Sequence, residues 1–166
     1  MDAQLLEQLY RTYYTSALLY CTALCGQEEL AKDLVADAFV KAYLSLPDHI
    51  PSFRYWLLRV CKNLWIDHLR KYSREVSAEP LQYLPGDCSP ETSYLRNERS
   101  RFLWKTIAAL PPSDREILIL HYFSGLSLQE IAPIAGKSYP AVRQRIARLR
   151  QTLKQQLEEQ GYGSDI

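Results

Sequence analysis

Apolar residues in this sequence recur at three- and four-residue intervals and nowhere in strict alternation, a pattern that specifies helices with one buried stripe and no sheet. Leu6, Tyr10, Tyr13, Ala17, Tyr20, Cys21 and Leu24 predict a helix from about Asp2 to Cys25, ended by Gly26. A second helix is expected from about Gln27 to Leu44, with Leu30, Leu34, Ala38, Phe39 and Ala42 inward and an acidic first turn that suits the helix dipole. Pro47 stops it. After the connector Ser45 to Pro51, Ser52 is the expected N-cap of a third helix that carries Phe53, Trp56, Leu57, Val60 and Leu64 to about Tyr72. Three helices with short turns make one small bundle over residues 1–74.

From Glu75 to Pro90 the periodicity dissolves into a stretch punctuated by Pro80, Pro85, Gly86 and Pro90, the composition of a flexible linker. It resumes after Ser89-Pro90-Glu91, a helix-start signature, and runs through Leu95, Phe102, Leu103 and Ile107 to Leu110, where Pro111-Pro112 closes it. Ser113-Asp114-Arg115-Glu116 then reads as a capping box for a helix through Ile117, Leu118, Leu120 and Tyr122, ended by Ser124-Gly125. Ser127-Leu128-Gln129-Glu130 reads as a second capping box, opening a short helix with Ile131 and Ala135 inward. Pro133, about six residues in, should kink or shorten that helix. Gly136-Lys137-Ser138 makes a tight turn, and Val142, Ile146, Leu149 and Leu153 follow on one face of a last helix. The fold expected is all-α in two small domains: a three-helix bundle over 1–74, the linker 75–90, and a four-helix domain with a helix-turn-helix over 91–157. An acidic tail, 158–166, follows.

A chain of 166 residues with net charge +1 gives no sign of a nucleic-acid partner in its total charge, but the distribution does. Between Lys41 and Arg74 seven basic residues stand against Asp48 and Asp67, and between Lys137 and Lys154 six basic residues meet no acid. Acidic stretches at Gln27 to Asp37 and at the C-terminal end balance them. Two positive faces, each on an amphipathic helix, point to DNA or RNA. An α-helix fits the major groove, where base edges are distinguishable. With Val142, Ile146 and Leu149 inward, Ala141, Gln144, Arg145 and Arg148 face outward, Gln suited to adenine and Arg to guanine. Lys137, Ser138, Arg143 and Arg150 are placed for phosphates, with Tyr139 at the helix start. Pro140 leaves one base-facing position without a side-chain donor.

Other classes find little support. No segment reaches the roughly 18 to 20 apolar residues of a membrane span. Met1-Asp2-Ala3-Gln4 lacks the basic run and apolar stretch of a secretory signal, so the compartment expected is the cytoplasm. Cys21, Cys25, Cys61 and Cys88 lack metal-site spacing, His49, His68 and His121 are scattered, and the thiols are expected inside, with no metal and no cofactor. A Gly-rich phosphate loop, a nucleophile elbow and a metal-binding His pair are all missing, which argues against an enzyme or a small-molecule substrate.

Taken in order, these parts resemble the extracytoplasmic-function (group IV) sigma factors of bacterial RNA polymerase, over about residues 5 to 155. Leu9-Tyr10-Arg11-Thr12-Tyr13-Tyr14 resembles the family's opening helix, and the run from Ala31 to Tyr43 its core-polymerase-binding segment. Ser52-Phe53-Arg54-Tyr55-Trp56-Leu57, continuing through Arg59, Asn63, Asp67 and Arg70, is similar to the helix that melts and reads the minus-ten element. Leu110-Pro111, Arg115-Glu116, the run from Tyr122 to Ser127, Glu130-Ile131-Ala132 and the run from Val142 to Arg145 are similar to its minus-thirty-five module. The resemblance implies a promoter-specificity subunit whose partners are core RNA polymerase, promoter DNA and, for many relatives, an anti-sigma protein. It implies docking on the polymerase through Asp33, Leu34, Asp37, Phe39 and Lys41. It also implies promoter opening by Phe53, Tyr55 and Trp56 beside Arg54, Arg59 and Lys62, with stacking surface and phosphate neutralisation side by side. Trp56 equally fits a core stripe, and Asn63 with Asp67 either braces the loop or contacts the displaced strand. The connector Ser45 to Pro51 is shorter than the family's and holds two prolines, a departure at the place where the family captures the flipped minus-ten base, so promoter preference is not carried over from the resemblance. A free-standing helix-turn-helix regulator and a sigma-like protein that no longer initiates are the alternative readings.

Overall fold

The computed structural model describes residues 1–47, 50, 52–75 and 98–163, with the side chains of 73–75 outside that description. The predicted linker beyond Glu75, the helix start at Ser89-Pro90-Glu91, Leu95, Cys88, three connector residues (Asp48, His49 and Pro51) and the last three residues of the acidic tail all lie outside the described residues. The chain divides into two compact units, Met1–Cys88 and Ser89–Ile166, and among the described residues every regular element is helical.

In the first unit α1 (Ala3–Cys25), α2 (Glu28–Ser45) and α3 (Phe53–Glu75) each pack on the other two. Asp2 caps α1 by accepting from the Gln4 N–H, and Gly26 ends it at φ 71°, where its N–H donates to the Thr22 carbonyl at 2.8 Å. Ser52 caps α3 as expected, its hydroxyl accepting from the Tyr55 N–H at 3.3 Å. The core draws Leu19, Tyr20 and Cys21 from α1, Ala31, Leu34, Val35, Ala38, Phe39 and Ala42 from α2, and Leu57, Leu58, Cys61 and Trp65 from α3. On α3 the stripe is therefore rotated from the expected one. Phe53, Trp56, Val60 and Leu64 are half-buried, and Leu58, Cys61 and Trp65 take the deep positions. Cys21, Cys25 and Cys61 are buried free thiols. A hydrogen bond with Cys61, then burial, pushes the Cys21 thiol well above its ordinary range.

The second unit contains α4 (Glu98–Ala108), α5 (Pro112–Leu118), α6 (Leu128–Ala135) and α7 (Tyr139–Glu159). The expected capping box at Ser113 does not form: Pro112 takes the first helical position, Pro111 precedes it, and no side chain caps α5. Proline's locked φ suits that first position, which places Ser113 inside the helix, beyond the reach of a cap. Arg115, 2% exposed, instead donates from Nη1 to the Ala108 carbonyl at 3.2 Å, a cation at the end of α4. Residues Ile119–Phe123 form a π-helical turn, seen in the Ser124 N–H bond to the Ile119 carbonyl at 3.0 Å. A π turn inserts a residue and rotates the faces that follow it. Phe123 meets Trp104 edge-on at 5.6 Å.

The box at Ser127 forms in both halves, with the Ser127 N–H donating to Glu130 Oε1 at 3.1 Å and the Glu130 N–H to Ser127 Oγ at 3.2 Å. Helix α6 runs two residues past Pro133 and ends at Gly136, φ 67°, whose left-handed backbone is the reason for glycine there. Ser138 caps α7 through the Ala141 N–H at 3.3 Å, and Pro140 sits in its first turn, where the absent donor costs little. Val142, Ile146, Leu153 and Leu157 are buried against the neighbouring helices and Leu149 is half-buried. The predicted acidic tail begins as helix: Glu158 and Glu159 belong to α7, and Tyr162 packs on Phe102 with ring centroids 5.5 Å apart.

Candidate nucleic-acid interface

Along α7 and the turn before it, Lys137, Ser138, Tyr139, Pro140, Ala141, Arg143, Gln144, Arg145, Arg148 and Arg150 are exposed, the outward set read from the sequence. Two of these cations are tethered. Arg145 Nε donates to Asp114 Oδ1 at 2.5 Å, a pair whose arginine side chain is 48% exposed and whose carboxylate is 8% exposed. Arg150 Nε donates to the Tyr122 hydroxyl at 3.2 Å, a contact supplied by the π turn. Lys137, Arg143, Gln144 and Arg148 make no side-chain bond among the described residues, so their donors are open to a polyanion. The Ser138 oxygen is occupied by its cap bond, but its O–H still has a proton to give.

In the first unit the aromatic residues of α3 continue the core outward. Phe53 stacks on Trp56 at 5.8 Å, meets Tyr13 at 5.4 Å and lies 6.2 Å from Phe39, while Arg54 sits over the Tyr13 ring at 5.5 Å. Phe53, Arg54, Tyr55, Trp56 and Lys62 are half-buried, so Trp56 is neither wholly core nor wholly surface. Arg59, Asn63, Asp67 and Arg70 are exposed and share one face of α3, as their spacing requires. Asp67 and Arg70 form an exposed pair at 3.8 Å, which does little for stability.

The implied docking segment is sorted differently from the reading of the sequence. Asp33, Asp37 and Lys41 are exposed, but Leu34 and Phe39 are each 5% exposed and spent on the bundle core. Most of each side chain closes the core, and only the edge of Phe39 reaches the groove beside it. The apolar surface on this side of α2 comes from Val40, Tyr43 and Leu44, the last 73% exposed. With Leu6 and Tyr10 of α1 and the edge of Phe39 they line a groove of about 510 Å³. The signal was present in the sequence: Val40, Tyr43 and Leu44 form a second apolar set at three- and four-residue spacing, on the side of α2 away from Leu34, Val35 and Ala38. Asp114 was missed as a site residue because it lay inside the supposed capping box.

Two helical units, the second with a capped helix-turn-helix and an exposed basic helix, define a two-domain DNA-binding protein of the all-α class. Residues 9–75 match sigma-70 region 2, and residues 103–153 match sigma-70, region 4. The chain is 30% identical over 152 residues to the ECF RNA polymerase sigma factor SigW of Bacillus subtilis, covering 84% of this chain and 81% of SigW. It is 30% identical over 156 residues to the ECF RNA polymerase sigma factor SigE of Mycolicibacterium smegmatis, covering 91% of this chain but spanning only 61% of that relative's length. The solved structure of CnrH in complex with the cytosolic domain of CnrY superposes with a TM-score of 0.61 at 25% identity, over 95% of this chain and 90% of that one. The chain belongs to the extracytoplasmic-function RNA polymerase sigma factors, a family that directs promoter-specific transcription. Matches to both regions in order do not favour a free-standing regulator. Among the described residues no helix is long and apolar enough to cross a membrane, and no three His, Cys, Asp or Glu side chains gather where they would hold a metal ion.

Proposed function

We propose that this chain binds core RNA polymerase and selects promoters in the cytoplasm, without catalysis of its own, dividing the work between domain 1–74 and domain 91–157. The exposed basic face of α7 carries the reading: the helix opened by Ser138 and the turn before it present Lys137, Tyr139, Arg143, Gln144 and Arg148 with no partner for their side-chain donors among the described residues. Gln144, Arg145, Arg148 and Ala141 face base edges of the minus-thirty-five element, and Lys137, Ser138, Tyr139 and Arg143 hold its phosphates. In the first unit Phe53, Tyr55 and Trp56 stack on bases of the opened minus-ten region. Arg54, Arg59, Lys62 and Arg70 neutralise its backbone, and Asn63 with Asp67 contacts the displaced strand. Unstacking a base costs a few kcal/mol, which stacking on such rings offsets.

The polymerase-facing surface is the outer side of α2: Asp33, Asp37 and Lys41 set orientation, and Val40, Tyr43 and Leu44 supply apolar contact. Leu34 and Phe39 act from beneath by holding the helix in place. An anti-sigma protein that covered either basic face would switch the chain off. Run-off transcription with purified core polymerase on a promoter library tests the proposal. The expected result is initiation at a subset of templates sharing one spaced pair of elements. Core binding without initiation would favour the sigma-like protein that no longer initiates.

A further inference from the structure

We infer that Asp114 is a positioning residue for DNA readout, holding Arg145 of α7 in the one orientation from which it recognises a base; this rests on the reading of α7 as the promoter-facing helix. The clamp is tertiary, since its partners are 31 residues apart, one in the first turn of α5 and the other near the middle of the exposed basic face. Asp114 is fixed: its carboxylate is 8% exposed, and the helix that bears it packs on both α6 and α7.

A guanidinium carries five N–H donors, and the clamp occupies Nε. The Arg145 terminal nitrogens make no other bond among the described residues, and the side chain remains 48% exposed. The group is thus anchored at one end and open at the other. A free arginine gives up rotamer freedom on docking, and one already held gives up less. A held fork also distinguishes guanine's two acceptors from a single phosphate oxygen, which a swinging cation does not. The carboxylate further reduces the positive field at this point of α7, and that field drives binding to any sequence. Both effects raise discrimination.

The test uses the full chain in complex with core polymerase and two duplexes, one with the minus-thirty-five element selected from the library and one with that element scrambled. Asp114→Asn is expected to lower the ratio of the two affinities about tenfold, with binding to the scrambled duplex unchanged or tighter. Arg145→Ala should lower the ratio as far, and the double variant no further. A merely structural role would lower the melting temperature and leave the ratio alone. Arg145→Lys guards against a misfolded Asp114 variant: it keeps the charge and could still reach the carboxylate, but a lone ammonium has no planar fork to present two parallel N–H bonds to guanine, so the ratio should fall. A wild-type ratio in Asp114→Asn or Arg145→Lys, or additive losses in the double variant, would overturn the inference. Wild-type protein that fails to discriminate would overturn the reading of α7 itself, a result distinguishable from the others because it appears before any substitution.

Discussion

In the first unit the cation at the head of α3, Arg54, rests over the Tyr13 ring, and the neighbouring Phe53 touches Tyr13, Phe39 and Trp56. In the second, Arg143, Gln144 and Arg148 stand exposed, with two neighbours tethered through single Nε atoms. One candidate surface is thus an outgrowth of a core. The other is a helix face fixed by a cap and two side-chain ties. Substitutions at the first should alter stability and function together, and at the second should separate them.

The sharpest contrast lies on α2. Phe39→Ala removes a ring that is 5% exposed and in contact with Tyr10 and Phe53, and should cost about 3 to 5 kcal/mol of stability in urea unfolding. Leu44→Asp, at a position 73% exposed, should leave the unfolding midpoint unchanged and weaken core-polymerase binding at least about tenfold, as for a buried interface anchor. A Phe39→Ala protein of normal stability would break the account of that surface as an outgrowth of the core.

A smaller effect separates the arginines. Arg148→Ala should change stability by no more than about 0.5 kcal/mol, since its side chain bonds to none of the described residues. Its effect on promoter affinity should be about 1 to 3 kcal/mol, with relaxed specificity at one position. Arg54→Gln should cost about 0.5 to 1 kcal/mol of stability through the lost ring contact, and should also slow strand opening as followed by permanganate reactivity of the template. If Arg148→Ala destabilised the fold as much as Arg54→Gln, the two surfaces would not differ as described.

Much of this was legible in the sequence, because caps and helical spacing are local. Ser52, Ser127-Glu130 and Gly136 act as their positions announced, whereas Ser138, read only as part of the turn, also caps α7. Most of what failed was tertiary. Periodicity shows that α3 has an inner face but not which of two adjacent stripes the neighbours will cover, and Leu58, Cys61 and Trp65 took the place of Val60 and Leu64. Leu34 and Phe39 could not be told from docking residues without knowing that α1 and α3 close over them. Ser113 was outcompeted by a proline at the preceding position, and that error hid the tie from Asp114 to Arg145.

The smallest predicted effect tests the comparison at its finest grain, because both candidate surfaces begin at a serine cap. Ser52 accepts from the Tyr55 N–H and Ser138 from the Ala141 N–H, each at 3.3 Å. Replacing either with alanine should cost about 1 kcal/mol, and with glycine only a few tenths, measured by thermal unfolding. At Ser138 the hydroxyl proton remains available to a phosphate oxygen, so both Ser138→Ala and Ser138→Gly should weaken promoter binding by a similar small factor, although only alanine is appreciably destabilising. Neither should change the salt dependence of binding, since no charge is removed and no counterion release is lost. At Ser52 the packed rings lie one residue away, so binding there should follow stability instead: Ser52→Gly should bind nearly as wild type and Ser52→Ala should not. Equal behaviour of the glycine variants at both caps would mean that the second surface, like the first, is set by how firmly its helix is held.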